Sequence, residues 1–202
     1  LIVPADLARI VWMNLISRFS AAGEGKRQLR QIGWAAFNTA RIEQGRPIAG
    51  IDYELAPPSL PGRRKDVDAS DEPKGAGVLP AETGQFDRAV SVTKGCYLGQ
   101  EIVARMHARN VVARKIIGFR MADDALPIAG SPVMDDASNT VGVVTSSTPS
   151  PVLSNACIGL ALVKRPHFEV GRRLQIPAEG AIRPAEVVTL PFVKQDSREK
   201  TT

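Results

Sequence analysis

Lys94-Gly95-Cys96-Tyr97-Leu98-Gly99-Gln100-Glu101 places one thiol, one cation and two glycines in a single turn. The run before it, Phe86 to Thr93, alternates Val90 and Val92 with Ser91 and Thr93, the period of a strand. The run after it, Gln100 to Arg109, reads as a helix. Cys96 therefore falls at or just before a helix start, two residues after Lys94. The positive helix end and the Lys94 ammonium both favour a thiolate, the form that attacks electrophiles and binds metals. Gly95 and Gly99 let the main chain turn sharply and let a ligand approach it. The competing reading is a buried, inert thiol, the usual state of free cysteine.

Matching stretches lie on both sides. Upstream stand Asn38-Thr39-Ala40-Arg41-Ile42-Glu43-Gln44-Gly45-Arg46-Pro47, Gly50-Ile51-Asp52-Tyr53, Leu79-Pro80-Ala81-Glu82-Thr83-Gly84 and Asp87-Arg88-Ala89-Val90-Ser91. Downstream stands Val103-Ala104-Arg105. In this order, from about Leu1 to Phe192, the chain resembles the YgfZ-type folate-binding proteins, relatives of the glycine cleavage T-protein (aminomethyltransferase).

The resemblance implies an α+β protein, a partial ferredoxin-like folate-binding domain followed by a small antiparallel β-barrel. It implies tetrahydrofolate as the bound cofactor and iron–sulfur proteins as transient clients. Their clusters would be assembled or repaired through Cys96, with Lys94 beside it. Arg41, Glu43, Tyr97, Gln100, Glu101 and Arg105 are the candidate folate contacts. Arg41 and Arg105 suit the glutamate tail, because a guanidinium can hold a carboxylate with two hydrogen bonds. Their alternative role is structural ion pairing, and for Arg41 and Glu43 it is exposed charge near a helix end. Family members are longer at the N-terminus, so the resemblance also implies a preceding segment of the same protein as partner.

The second functional reading is aminomethyl transfer to tetrahydrofolate. Against it, T-proteins lack the thiol signature, and their catalytic acid lies in a first half that this sequence does not include. An aminomethyltransferase-like fold without that activity is the expectation. The third reading is an RNA-binding or interaction module. The net charge of +5 and clusters such as Arg63-Arg64-Lys65 and Arg172-Arg173 permit it. Aromatics at 5% give little stacking surface for it, so these clusters read as solvated surface.

Composition bounds the rest. Hydrophobic content of 44% with 23% charged residues is that of an ordinary globular chain with a real core. Two cysteines far apart in sequence form neither a disulfide framework nor a metal-ligand pattern. A reducing compartment follows: cytoplasm, or mitochondrial matrix in a eukaryote. No apolar run is long enough to span a membrane. His107 and His167 are isolated, so no metal site is expected; His107 lies about three helical turns beyond the thiol and points away from it.

Leu1 to Val3 reads as a strand end, residues 5–19 as an amphipathic helix, and Ile32 to Gln44 as a second helix ended by Gly45 and Pro47. Residues 1–110 form the folate-binding part, with 57–77 a flexible insertion rich in proline and charge. Residues 111–193 form a six-stranded barrel and 194–202 a tail. The barrel strands are expected at 115–121, 132–135, 141–146, 157–163, 173–176 and 185–190. Cys157 lies inside an apolar strand and reads as core.

Overall fold

The computed structural model describes residues 2–20, 31–54, 77–97, 99–109 and 112–194. Most of the 57–77 insertion and of the 194–202 tail therefore lies outside the described residues. The chain forms two compact units, residues 1–37 and 38–202.

The first unit contains helix α1 (Ala5–Ser20) and the start of α2 (Trp34–Glu43). Asp6 favours the α1 N-terminus and Arg18 its C-terminus, each opposing the helix dipole. Residues 2–4 do not form the expected strand end. Leu7, Ile10, Trp12, Met13 and Phe19 of α1 are exposed, as are Trp34 and Phe37, whose rings lie 5.4 Å apart.

The second unit is built on six antiparallel strands: β1 (Arg114–Met121), β2 (Pro132–Met134), β3 (Thr140–Ser150), β4 (Ala156–Lys164), β5 (Arg173–Ala178) and β6 (Ala181–Val188). They close into a barrel in the order β1-β4-β3-β2-β5-β6. Closure removes free sheet edges. The fold class and the six-stranded barrel agree with the sequence expectation. Before Arg114 the only β pairing among the described residues is an isolated bridge, Ala49–Tyr53.

Alternation along the strands sends one set of side chains inward. Phe119, Val133, Val144, Ala161, Val163 and Ile176 belong to the interior cluster. Gly159 on β4 makes room for Phe119: a Cβ there would lie 2.5 Å from the ring's Cζ and would strike the Ser146 carbonyl. Cys157 is buried in the same cluster, with its Sγ 3.1 Å from the Asp124 carbonyl oxygen. Burial, then the nearby carboxylates Asp124, Glu179 and Asp123, push its thiol above the ordinary range. The unfolded chain therefore releases this proton first, so Cys157 subtracts stability as pH rises above the ordinary thiol range. Cys157→Ala is expected to lower stability by about 1 kcal/mol and leave activity unchanged. Thermal melts at neutral pH check this, and an unchanged midpoint contradicts the core assignment.

A second apolar layer lies on the outside of the barrel wall. It joins Ile116, Ile158 and Leu160 to Ile42 of α2, with Tyr53, Leu190 and Phe192 against them. A bulge in β3 makes this layer possible. Val144 pairs with Ala161 and Ser146 with Leu160, so Thr145 is an extra residue. The insertion reverses the alternation. Ser146, Thr148 and Ser150 then share the face of Leu160 and Ile158 instead of following Val144 inward. Strand β3 accordingly runs past the expected end at Ser146.

Three segments precede the barrel on this unit: a 3-10 turn (Pro80–Thr83), α3 (Phe86–Ala89) and α4 (Gln100–Arg109). The expected strand over Phe86–Thr93 is not formed. Its first half is helical, closed by Ala89 N–H to Gln85 and Val90 N–H to Phe86 carbonyls. Its second half has no partner strand, and the Ser91 hydroxyl accepts the Lys94 N–H at 3.1 Å. A serine that satisfies nearby backbone in this way competes with a strand ladder.

Candidate functional site

The thiol turn joins α3 to α4. Cys96 is exposed, as are Lys94 and Glu101; Tyr97 and Gln100 are half-buried. Gly99 takes φ +84°, a left-handed conformation that a side chain would strain, and α4 begins at the next residue. The Tyr97 N–H donates to Gln100 Oε1 at 3.2 Å, so the first helical side chain folds back on the turn. Lys94 Nζ lies 5.7 Å from the Tyr97 ring centroid, within cation–π range. Glu101 stands in the first turn of α4, where negative charge suits the helix dipole.

A cavity of about 320 Å³ opens beside this turn, lined by Lys94, Tyr97, Gln100 and Glu101 on one side and by Phe86 and His107 on another. The imidazole of His107 stacks on Phe86, with centroids 4.7 Å apart and planes 9° from parallel. His107 is thus a wall of the cavity. Cys96 and Arg105 do not line it; both are exposed. The structure therefore brings four of the sequence candidates together (Lys94, Tyr97, Gln100, Glu101) and leaves the thiol on the outer side of their turn. A larger cavity, about 690 Å³, lies away from these residues, between Arg120, Asp124, Arg173 and Glu186 on the barrel.

Arg41 and Glu43 sit elsewhere, and they are not exposed charge. Both are buried where α2 meets the barrel. Arg41 Nη1 lies 2.5 Å from Asp52 Oδ2. Its Nη2 donates to Ser146 Oγ at 2.6 Å, and Ser146 in turn donates to Asp52 Oδ1 at 2.5 Å. Its Nε donates to Asn38 Oδ1 at 2.8 Å. The Ile48 N–H and the Thr145 hydroxyl complete the Asp52 carboxylate. Glu43 Oε1 accepts from Ser150 Oγ at 2.5 Å, and the Thr39 and Thr148 hydroxyls lie 2.8 Å apart. With its donors held by Asn38, Asp52 and Ser146, Arg41 has the structural pairing that was its alternative role. Gly45 ends this helix at φ +60°, which lets the Arg46 N–H reach the Arg41 carbonyl at 2.8 Å.

At this joint, Asp52, Ser146 and Ser150 are partners that sequence reasoning missed. The only signal for Asp52 in the sequence is its place in Gly50-Ile51-Asp52-Tyr53. Glu82, also within a motif, is buried; it accepts the Leu79 N–H at 2.8 Å and pairs with Arg114 at 3.4 Å, tying the 3-10 turn to β1. Among the described residues, no group of three or more His, Cys, Asp or Glu is placed to hold a metal ion. No helix among them is long and apolar enough to cross a membrane.

Residues 114–188 thus form a closed six-stranded antiparallel barrel with α2 packed on its outer wall. Residues 114–194 match the family model of the glycine cleavage T-protein C-terminal barrel domain. The chain is 33% identical over 197 residues to the aminomethyltransferase of Saccharopolyspora erythraea, covering 96% of this chain and 45% of that protein. It is 29% identical over 193 residues to the aminomethyltransferase of Prosthecochloris aestuarii, with the same coverage of 96% and 45%. The crystal structure of glycine cleavage system aminomethyltransferase T from Bartonella henselae superposes with a TM-score of 0.67 at 21% identity, over 95% of this chain and 45% of that one. The chain thus spans slightly less than half the length of these relatives. Together the barrel match and the aminomethyltransferase relatives support the T-protein-like superfamily for this chain.

Proposed function

We propose that the chain binds tetrahydrofolate and serves one-carbon transfer of the aminomethyltransferase type. The observation that carries this reading is the likeness to aminomethyltransferases along 96% of the chain. The cavity at the thiol turn suits such a ligand. Its Tyr97, Phe86 and His107 walls can take a flat heteroaromatic ring, and Gln100 and Glu101 can meet ring N–H and amino groups. When bound, tetrahydrofolate supplies the nitrogen that accepts the one-carbon unit. The chain's own groups bind and orient the ring: Lys94 over Tyr97 fixes one wall, and the Tyr97–Gln100 hydrogen bond fixes the turn.

One observation favours a second reading, support of iron–sulfur cluster assembly or repair. Cys96 is an exposed thiol in the Lys94–Glu101 signature, on a turn whose charged side chains are Lys94 and Glu101. A single cysteine is too few to hold a cluster that takes four thiolates, so transient sulfur or iron handling is the chemistry it can offer.

One experiment separates the two. The protein and Cys96→Ala are assayed for tetrahydrofolate-dependent release of a one-carbon unit from an aminomethyl-loaded lipoyl carrier. Both are also tested for rescue of an iron–sulfur dehydratase in cells lacking their homologue. Transfer by both proteins supports the first reading. Absence of transfer, with rescue by the wild type and at least a tenfold loss of rescue in Cys96→Ala, replaces it with the second.

A further inference from the structure

The segment that carries the thiol turn, residues 86–109, runs out from the Pro80–Thr83 turn and back towards the start of β1 at Arg114. Its two ends meet, because Phe86 of α3 stacks on His107 of α4. Both helices pack on the 3-10 turn, and that turn packs on β1. Between the segment and the barrel lies a cavity of about 430 Å³, lined by Phe86, Asp87 and His107 from the segment and by Lys115, Arg165 and Phe168 from the barrel. Opposite charges line its two sides, yet no ion pair crosses it among the described residues.

The neck of the segment is tied instead. Glu82 stands on the outgoing chain and Arg114 on the returning one, with Arg114 Nε 3.4 Å from Glu82 Oε1. Arg114 Nη2 also donates to the outgoing Gly77 carbonyl at 3.3 Å. Glu82 is 5% exposed, and its second carboxylate oxygen accepts the Leu79 N–H at 2.8 Å, which fixes the carboxylate in the turn. Just past it, Gln85 Nε2 donates to the Gly45 carbonyl at 3.2 Å. On the returning side the Ala113 carbonyl accepts the Arg165 N–H at 2.9 Å. Both connections are therefore anchored, and the ion pair staples one to the other.

We infer that Glu82 and Arg114 are positioning residues: their pair closes the neck of the 86–109 segment and fixes how the segment stands over the barrel, and the cleft between them is the room in which the segment swings when the pair is broken. A charge-assisted contact between a fixed carboxylate and a guanidinium sets direction as well as distance. Lys94, Cys96, Tyr97, Gln100 and Glu101 all ride on this segment, so the inference holds under either functional reading.

The test uses Glu82→Gln, which keeps an oxygen for the Leu79 N–H and removes the charge, together with Arg114→Gln and the double variant. Hydrogen exchange is read along residues 86–109 and along the barrel strands. The swing is read as the distance between spin labels on Cys96, which is exposed, and on Ile182→Cys, at a position 57% exposed on β6; Cys157 is buried and stays unlabelled. The expected result is exchange along 86–109 faster by about fivefold or more, with a broader distribution of label distances. The barrel should keep its exchange rates and its melting midpoint. The double variant should match the singles, because the second change removes nothing further. Unchanged exchange and distances in all three variants overturn the inference. So does equal acceleration in segment and barrel, or failure of Glu82→Gln to fold, since either makes the pair a support of the whole unit and not of the neck.

Discussion

Arg41→Met is expected to destabilise the protein by about 3–5 kcal/mol. The substitution removes one member of an ion pair whose side chains are 3% and 0% exposed. Asp52 would remain buried with only hydroxyl and main-chain donors, and Ser146 would lose the guanidinium that orients it. Truncating one partner of such a pair costs far more than replacing the pair, because the remaining charge has no countercharge. Chemical denaturation of Arg41→Met, Asp52→Leu and the double variant checks the point. The double variant should lose less than the sum of the singles, because it buries no orphan charge. Additive losses would contradict the joint as drawn. The same joint holds α2 to the barrel through Glu43–Ser150 and Thr39–Thr148, so Arg41→Met should also raise hydrogen exchange along residues 38–43.

Phe119→Ala carries the second large effect, also about 3–5 kcal/mol. Phe119 is fully buried at the centre of the barrel, and its ring fills the space left by the missing side chain of Gly159 on the paired strand. Truncation removes the largest fully buried side chain among the described residues and leaves a cavity that a closed barrel cannot collapse around. The converse change tests the same contact from the other side: Gly159→Ala places a methyl against the ring and against the Ser146 carbonyl, and overpacking of this kind costs about 1–3 kcal/mol. Denaturation midpoints of the two variants check both. A Phe119→Ala loss under 1 kcal/mol would mean that the barrel interior is not packed as described.

The barrel was legible in the sequence because its determinants are local. Alternating apolar residues, with Gly130 and Gly180 between runs, mark strands wherever both faces have different neighbours. What escaped was set by tertiary partners. The β3 bulge at Thr145 extends a strand whose later residues are Ser and Thr, since their partners are hydroxyls and carboxylates of α2 rather than apolar core. The run Phe86–Thr93 alternates like a strand, yet without a neighbouring strand it becomes α3 and a serine-closed turn. Arg41 and Glu43 carry charge near a helix end, which reads as surface. Only the distant Asp52, Ser146 and Ser150 show why they are buried.

The candidate site divides in the same way. Lys94, Tyr97, Gln100 and Glu101 lie within one turn of chain, so the sequence grouped them and the fold keeps them together. Phe86, His107, Lys115 and Arg165 reach the same region from four separate segments, and no spacing could have announced that. His107 in particular is explained by its stack on Phe86 and not by proximity to the thiol.

The most direct test of folate binding is calorimetric titration of the protein with tetrahydrofolate under reducing conditions. A saturable heat with one ligand bound per chain is the expected result. Heats no larger than dilution, across concentrations up to the millimolar range (about −4 kcal/mol of binding free energy), would contradict the account.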